Sequence, residues 1–193
     1  MTQPSDFDRG LIGRFLGGDQ AAFNDLMAAH EDRVFAVCLR MLRDRDAALD
    51  ATQETFITVC RKVGSFTGKS AFSTWLYRVA VNTCYDSLRR QKRHRADPLP
   101  EHHDPPDRTS GDALAAAELR PAIEASLAEL PIEFRSAIVL VDLQGLSLQD
   151  AADALGVAIG TVKSRLFRGR RILAESLGNL LPAPDTPRDE EHA

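Results

Sequence analysis

Residues 145–171, near the C-terminus, constrain the fold more than any other part of this 193-residue chain. Ser147 and Asp150 have the spacing of a capping box, which predicts that a helix begins there. An apolar stripe at i, i+3, i+4 and i+7 follows, made of Leu148, Ala151, Ala152 and Leu155. Gly156 can adopt the left-handed backbone conformation that ends a helix. The segment therefore predicts two helices joined by a tight turn.

The second helix of this segment is strongly basic. Its apolar face carries Val162, Leu166 and Leu173, and no acidic residue lies between Thr161 and Leu173. The remaining surface carries five cations, Lys163, Arg165, Arg168, Arg170 and Arg171. A basic helix after a tight turn is typical of a helix-turn-helix, which places its second helix in the major groove of DNA. The alternative is an ordinary helical hairpin with a solvated basic face.

Composition limits the other classes of function. The net charge of −4 argues against a general binder of polyanions, although it allows a local basic surface. Cys38, Cys60 and Cys84 lie far apart in helical patterns, so we expect buried, reduced thiols and no metal site. No cofactor is predicted. The polar N-terminus does not resemble a signal peptide and no apolar run reaches membrane-spanning length, so we expect a cytoplasmic protein.

Helical periodicity extends over most of the chain and predicts an all-α fold. An apolar stripe on Phe7, Leu11 and Phe15 indicates a first helix, and a stripe from Phe23 to Met41 indicates a long second one. Further helices are expected at about 46–61, 70–95, 113–129 and 131–143. Proline and aspartate dominate residues 96–112, which is a linker composition. We therefore predict two small helical domains, at 1–95 and 113–178, with a flexible linker at 96–112 and a disordered tail at 179–193.

A second basic segment lies at residues 89–95, at the end of the predicted fourth helix. Cations favour a helix C-terminus, but five basic residues in seven exceed what dipole compensation requires. Residues 66–83 precede this block and hold four of the chain's twelve aromatic residues. Aromatic rings beside a cationic groove can stack on unpaired bases. The competing interpretation is that Phe72, Trp75 and Val79 belong to the core.

An acidic pair forms a third candidate site. Asp50 and Glu54 are spaced i, i+4 and so share one face of a helix, next to Gln53. Such a pair could hold Mg²⁺ for nuclease chemistry, dock a basic protein partner, or simply be solvated. The residues alone leave these three alternatives open.

Together, and in this order, the three segments resemble the extracytoplasmic-function class of bacterial sigma factors, in the sigma-70 superfamily. The pattern Asp50-x-x-Gln53-Glu54-x-Phe56 is similar to the family's core-polymerase motif. Residues 70–82 (SAFSTWLYRVAVN) are similar to its minus-ten promoter segment, and residues 160–168 (GTVKSRLFR) to its minus-thirty-five reading helix.

The resemblance implies a dissociable subunit of RNA polymerase that recognises promoters and is not an enzyme. Its implied partners are core RNA polymerase, promoter DNA and an anti-sigma protein. The residues implied to bind core polymerase are Asp50, Gln53, Glu54 and Phe56. Those implied to bind the minus-ten element are Phe66, Lys69, Ser70, Trp75, Asn82, Arg89, Arg90, Lys92 and Arg93. Those implied to read the minus-thirty-five element are Thr161, Lys163, Ser164, Arg165, Phe167, Arg168 and Arg171.

Three positions depart from the family pattern. Ala158 replaces a frequent proline before the reading helix, and Lys69 replaces a neutral or acidic residue. Gly169 replaces a usual alanine and is expected to loosen the helix by about 0.5–1 kcal/mol. An autonomous helix-turn-helix regulator is the main alternative function, although it would leave the Asp50–Phe56 and Trp75 segments unexplained.

Overall fold

The protein is seen here as a computed structural model that describes residues 6–95 and 114–178, with side chains described over 6–93 and 121–178. The first stretch forms α1 (Asp6–Leu16), α2 (Gln20–Leu42), α3 (Arg45–Lys62) and α4 (Phe72–Arg95). The second forms α5 (Leu114–Glu129), α6 (Ile132–Ile138), α7 (Leu148–Leu155) and α8 (Ile159–Gly178). Neither described stretch contains a strand, so the predicted all-α fold is confirmed.

Local hydrogen bonds explain where α2 and α3 begin and end. The Asp19 carboxylate accepts a hydrogen bond from the Ala21 N–H at 3.1 Å, and the Asp44 carboxylate accepts one from the Ala47 N–H at 2.6 Å. Arg43 ends α2 in the left-handed conformation, with φ of 64°. This tight reversal brings α3 back against α2.

The first four helices bury a common apolar core. Its largest fully buried side chains from these helices and the turn after α3 are Leu26, Val34, Val37, Met41, Val59, Val63, Phe72, Leu76 and Val81. One buried polar pair joins α1 to α2, where His30 Nε2 lies 2.8 Å from Asp8 Oδ1. The His30 ring also packs edge-on against Phe72, with ring centroids 5.3 Å apart. The core thus fixes α4, the helix that carries the predicted minus-ten segment.

The later helices pack around Leu130, Val139 and Leu140. The predicted helix at 131–143 is present, but its second part, Val139–Leu143, is wound as a π-helix. Pro131 lies immediately before α6. The wider turn ends where the Gln144 N–H donates to the Val139 carbonyl at 3.0 Å, and Gly145 follows with φ of 70°. Sequence periodicity did not predict this change of winding.

The two groups of helices are in contact. Helix α7 packs along α4, while α2 contacts both α5 and α6. The buried guanidinium of Arg135 donates to the Met41 carbonyl at 2.9 Å, which joins the start of α6 to the end of α2. The predicted linker at 96–112 and tail at 179–193 lie outside the described residues.

The prediction for the cysteines was right for two of the three. Cys38 and Cys84 are buried, but Cys60 is exposed, so the expectation of a buried thiol there was wrong. Helix α3 buries Thr52, Phe56 and Val59 on one face. Cys60 follows Val59 by one residue, about 100° around the helix, and therefore faces outward.

Candidate nucleic-acid and polymerase interfaces

The predicted helix-turn-helix is present as α7, a tight turn and α8. The Ser147 Oγ accepts a hydrogen bond from the Asp150 N–H at 3.0 Å and donates one to Asp150 Oδ2 at 2.6 Å. Gly156 ends α7 with φ of 64°. The two local signals that predicted this motif are therefore confirmed.

Helix α8 separates its buried side from its cationic side. Val162, Leu166 and Gly169 are buried against the rest of the domain. Among the predicted reading residues, Thr161 and Arg165 are half-buried, and the exposed ones are Lys163, Ser164, Phe167, Arg168 and Arg171. The Phe167 ring is 70% exposed in the middle of this cationic surface. An apolar ring between cations is suited to a groove in which thymine methyl groups lie beside phosphates and base edges.

Two cations of α8 pair with acids of the protein, Arg171 with Glu175 at 3.5 Å and Arg170 more closely with Asp142. Arg170 forms two hydrogen bonds with the Asp142 carboxylate, from Nε at 3.0 Å and from Nη2 at 2.5 Å. This paired hydrogen bonding to Asp142 raises the pKa of Arg170 above its ordinary value. Within the described side chains, Lys163, Arg165 and Arg168 take part in no ion pair. Arg170 therefore anchors α8 to the end of the π-helical segment, while the other three keep their donors available.

Gly169 has a packing role that the sequence did not reveal. A Cβ at this position would lie 2.7 Å from Ile138 Cδ1 and 3.2 Å from Phe134 Cβ. The absence of a side chain therefore lets α8 approach α6 closely. The expectation that this glycine merely loosens the helix was incomplete, because α8 can pack this closely against α6 only when residue 169 has no side chain.

The aromatic residues of the predicted minus-ten segment form one cluster. The Phe66 ring lies 5.6 Å from Phe72 and 5.7 Å from Trp75, measured between ring centroids. Trp75 is only 8% exposed and Phe72 is fully buried, so both are core residues here. Phe66 is half-buried at the edge of the cluster. Trp75 is thus placed to support Phe66 from inside rather than to face solvent.

The polar residues of the same segment lie on the outer surface. Lys69 and Asn82 are exposed and Ser70 is half-buried. Glycine at position 68, with φ of 69°, shapes the loop that precedes α4. This loop and the outer face of α4 therefore frame the edge of the aromatic cluster.

The basic end of α4 is partly neutralised by nearby acids. Arg89 Nη1 lies 3.0 Å from Asp86 Oδ1, and Arg90 Nη2 lies 2.8 Å from Glu54 Oε2 on α3. The hydrogen bond to Glu54 raises the pKa of Arg90. Lys92 and Arg93 are exposed. The Arg90–Glu54 pair joins a predicted DNA-binding residue to a predicted polymerase-binding residue. The sequence did not predict this pair, because its members are 36 positions apart.

The acidic motif on α3 divides between two concave surfaces. Asp50 and Glu54 line a hollow of about 370 Å³ between α3 and α4, together with Arg90. Because the Glu54 carboxylate already accepts a hydrogen bond from Arg90, Asp50 and Glu54 do not form an open carboxylate site for Mg²⁺. No group of three or more metal-binding side chains occurs within the described residues.

A larger apolar groove of about 940 Å³ lies between α2 and α3. Gln53 and the buried Phe56 line it, and so do Leu49 and Ile57, which are 47% and 50% exposed. Sequence reasoning missed Leu49 and Ile57. The feature that could have revealed them is their position on α3. Both are large apolar residues on the side of the helix that is otherwise polar, away from the buried stripe. Such a groove can accept the apolar face of a helix from another protein.

Comparisons with known families divide the chain into two matched regions. Residues 13–94 match the family described as Sigma-70 region 2, and residues 120–173 match Sigma-70, region 4. The ECF RNA polymerase sigma factor SigM of Mycobacterium tuberculosis is 40% identical over 173 residues, covering 90% of this chain and 86% of the relative. The chain belongs to the ECF sigma factors.

Another relative and two solved structures match this chain over most of its length and over nearly all of their own. The RNA polymerase sigma-H factor of Pseudomonas aeruginosa is 35% identical and covers 94% of this chain and 98% of the relative. The structure of CnrH in complex with the cytosolic domain of CnrY has a TM-score of 0.67 and 25% identity, covering 90% of this chain and 99% of CnrH. The sigma factor RpoE of Bartonella quintana, solved with the anti-sigma factor NepR, also has a TM-score of 0.67, at 27% identity, covering 81% of this chain and 96% of RpoE.

Membership of the family decides between the functions that the sequence left open. As a sigma factor, the protein directs promoter-specific initiation by RNA polymerase, and nothing in the comparisons favours an autonomous regulator. None of the described helices is long and apolar enough to cross a membrane.

Proposed function

We propose that this sigma factor uses three separate surfaces, one for core RNA polymerase and one for each promoter element. The observation that carries the proposal is their separation on one chain. An exposed apolar groove lies on α2 and α3, a basic end lies on α4, and α8 presents Lys163, Arg165 and Arg168 without an ion-pair partner in the described part of the chain.

The polymerase surface is the α2–α3 groove with its acidic margin. Phe56 and Gln53 line the groove, while Asp50 and Glu54 line the neighbouring hollow and add negative charge there. This combination suits an amphipathic helix that carries apolar side chains next to basic ones. We assign Asp50, Gln53, Glu54 and Phe56 to contact with core polymerase on this basis.

The minus-ten surface is the edge of the aromatic cluster and the outer face of α4. Phe66 is accessible for stacking on an unpaired base, with Trp75 behind it as support. Lys69, Ser70 and Asn82 supply polar groups around that position. The cations at the end of α4 then follow the phosphates, namely Arg89, Arg90, Lys92 and Arg93.

The minus-thirty-five surface is the outer face of α8. Arg168, Lys163 and Arg171 are exposed there, and a bidentate contact from arginine to guanine discriminates by about 1–3 kcal/mol. Thr161, Ser164 and Arg165 lie on the same side near the start of the helix, and Phe167 offers its ring to a thymine methyl group. Reading this element needs no rearrangement of α8.

We further propose that the protein acts in the cytoplasm, has no catalytic site of its own, and is held inactive by an anti-sigma protein. The support is family membership together with two similar structures, CnrH in complex with the cytosolic domain of CnrY and RpoE in complex with the anti-sigma factor NepR.

Transcription in vitro tests the proposal directly. Purified sigma factor is mixed with bare core polymerase and a library of genomic fragments, and the transcript starts are sequenced. We expect starts that share two elements at fixed spacing, and their loss when Ile57→Asp places a charge in the groove. Absence of any association between the chain and core polymerase on a sizing column would overturn the proposal.

A further inference from the structure

Helix α1 belongs to none of the three proposed surfaces, yet it carries a buried carboxylate. Asp8 is only 7% exposed, and its Oδ1 lies 2.8 Å from Nε2 of His30 on α2, which is equally buried. Burying a polar pair is unfavourable unless its members are hydrogen-bonded to each other. An apolar pair would fill the same space at less cost, so what this pair holds in place becomes the question.

The His30 ring leads directly to the aromatic cluster of the minus-ten segment. It packs edge-on against Phe72, with ring centroids 5.3 Å apart and ring planes at 66°. Phe72 is fully buried and meets the Phe66 ring edge-on in turn, at 5.6 Å and 82°. Edge-to-face packing favours a defined relative orientation of the two rings. A continuous series of contacts therefore runs from α1 through His30 and Phe72 to Phe66.

Trp75 packs on the same rings. Its ring centroid lies 5.8 Å from Phe72 and 5.7 Å from Phe66. Trp75 and Phe72 belong to α4, whereas Phe66 lies in the loop before it, where its N–H donates to the Val63 carbonyl at 2.9 Å. Phe66 is half-buried. The ring that we propose to meet a base thus packs on two buried rings, and His30 supports one of them.

The other end of α1 reaches the same loop by a separate contact. A Cβ placed on Gly64 would lie 3.6 Å from Leu16 Cδ2, so the Leu16 side chain lies directly beside this turn. Phe15 keeps this end of α1 against α2, because its ring centroid lies 4.9 Å from that of Phe23. Helix α1 therefore supports the segment between α3 and α4 at two points, through Asp8 and through Leu16.

A hydrogen bond adds something that apolar packing would not. The terminal torsion of an imidazole is broad, and a partner on one ring nitrogen restricts it. The Asp8 carboxylate therefore fixes the angle at which the His30 ring meets Phe72. A binding site works best when the residues behind its contact groups are themselves held by packing and hydrogen bonds. The pair provides such support behind Phe66.

We infer that Asp8 and His30 are positioning residues for promoter opening. They fix Phe72, which fixes the Phe66 ring that receives an unpaired base of the minus-ten element. This inference rests on the proposed function of Phe66, and it adds α1 to the parts of the chain that serve that function. The packing of the cluster through His30 can be observed without promoter DNA.

The chain's single tryptophan reports on the cluster. His30→Gln keeps a donor for Asp8 but removes the ring that packs on Phe72. We expect Trp75, which is only 8% exposed, to emit at longer wavelength and to be quenched by acrylamide about twofold more strongly. Leu42→Ala is the control and should change neither, because this buried residue lies on the same helix about 18 Å from His30. Unchanged emission and quenching in His30→Gln would overturn the inference.

A second variant covers the case in which His30→Gln does not fold. Asp8→Ala leaves the imidazole in place and removes its hydrogen bond to α1. We expect the same two spectral changes in Asp8→Ala, at smaller size, with far-UV circular dichroism like that of the wild type. A folded Asp8→Ala variant with wild-type Trp75 emission and quenching would also overturn the inference.

Promoter opening is then measured with the holoenzyme. His30→Gln should associate with core polymerase as the wild type does on a sizing column. Permanganate-reactive thymines around the minus-ten element should fall about fivefold, because the unpaired base meets a ring that is no longer held in place. Leu42→Ala, compared below the unfolding temperature of both variants, should open the promoter normally. Normal opening by His30→Gln would overturn the positioning role.

A double-mutant cycle separates positioning from general damage to the fold. Phe66→Ala should lower opening about tenfold, and adding His30→Gln should cause little further loss, since both changes act through the same ring. An undiminished loss from His30→Gln in the Phe66→Ala background would overturn the inference. If Phe66→Ala opened the promoter normally, the proposed function of Phe66 would fail and the inference with it. A spectral change would then mark His30 as a packing residue only.

Discussion

The two proposed DNA-binding helices differ in how their cations are held. On α8, Lys163, Arg165 and Arg168 have no ion-pair partner in the described part of the chain, whereas Arg170 pairs with Asp142 and Arg171 lies 3.5 Å from Glu175. On α4, Arg89 and Arg90 are both paired, with Asp86 and Glu54. Three cations on the proposed reading surface of α8 are therefore available before DNA arrives, whereas Arg89 and Arg90 on α4 must each exchange an acidic partner for a phosphate.

The Arg90–Glu54 pair has a consequence for a protein that acts together with RNA polymerase. Glu54 belongs both to the pair with Arg90 and to the proposed polymerase surface. If polymerase engages Glu54, Arg90 is released at the same moment for DNA. Contact with polymerase would then strengthen the minus-ten surface without any change of backbone, while the minus-thirty-five surface would be unaffected.

The largest effect is expected at Arg168, on the outer face of α8. Arg168→Ala should reduce initiation from promoters with an intact minus-thirty-five element by about 10- to 100-fold, since a bidentate contact to guanine contributes about 1–3 kcal/mol. Polymerase binding should not change. Transcription from matched and scrambled minus-thirty-five elements measures the effect, and an equal loss on both templates would contradict a base-reading role.

The second largest effect is expected where α8 packs against α6, at Gly169. Gly169→Ala should destabilise the second domain by about 1–2 kcal/mol, because the new Cβ would overlap Ile138 and crowd Phe134. Gly160→Ala is the matched control in the same helix, where no neighbouring atom lies within 4 Å of the new Cβ. It should be neutral or stabilising by about 0.5–1 kcal/mol. Thermal unfolding of the two variants should therefore shift in opposite directions, and equal shifts would refute the packing argument.

A smaller effect should reveal the masked cation on α4. Glu54→Gln should raise the affinity of the free protein for random DNA about two- to fivefold, because an exposed ion pair contributes about 0.2–1 kcal/mol. Fluorescence anisotropy with a labelled duplex at low salt measures this change. Asp25→Asn removes the same charge from an exposed position with no ion pair in the described residues, and a similar gain there would reduce the result to net charge.

An effect of similarly modest size is expected at Arg170, which Asp142 anchors. Asp142→Asn should lower the free energy of unfolding by about 0.5–1 kcal/mol and weaken minus-thirty-five binding only a few-fold, because it loosens the position of α8 without touching DNA. Glu175→Gln, which removes the weaker 3.5 Å contact with Arg171, should change less. A larger loss of binding than Arg168→Ala causes would mean that Asp142 does more than hold α8.

What the sequence could predict was mainly local. The ends of α7 were predictable because the Ser147–Asp150 cap and Gly156 act within a few residues of themselves. The pairs Arg90–Glu54 and Arg170–Asp142 were not, since their members are 36 and 28 positions apart and meet only after the helices pack.

The same distinction explains the errors. The role of Gly169 depends on how closely α6 approaches, and the exposure of Cys60 depends on which face of α3 is covered. Leu49 and Ile57 looked like ordinary apolar residues of a helix until the buried stripe was known. The sequence therefore predicts which helices carry the three candidate surfaces, but the ion pairs and packing contacts around those surfaces required the fold.

Helix α2 lines the apolar groove with Phe23, Met27 and Phe35 and meets α5 and α6 through Arg40 and Met41. One helix of 23 residues thus contributes both to the proposed polymerase surface and to the contact with the second group of helices. Random mutagenesis should therefore find α2 the least tolerant element, with two separable classes of defect. One class would weaken binding of polymerase at the groove, and the other would loosen the contact between the two groups of helices.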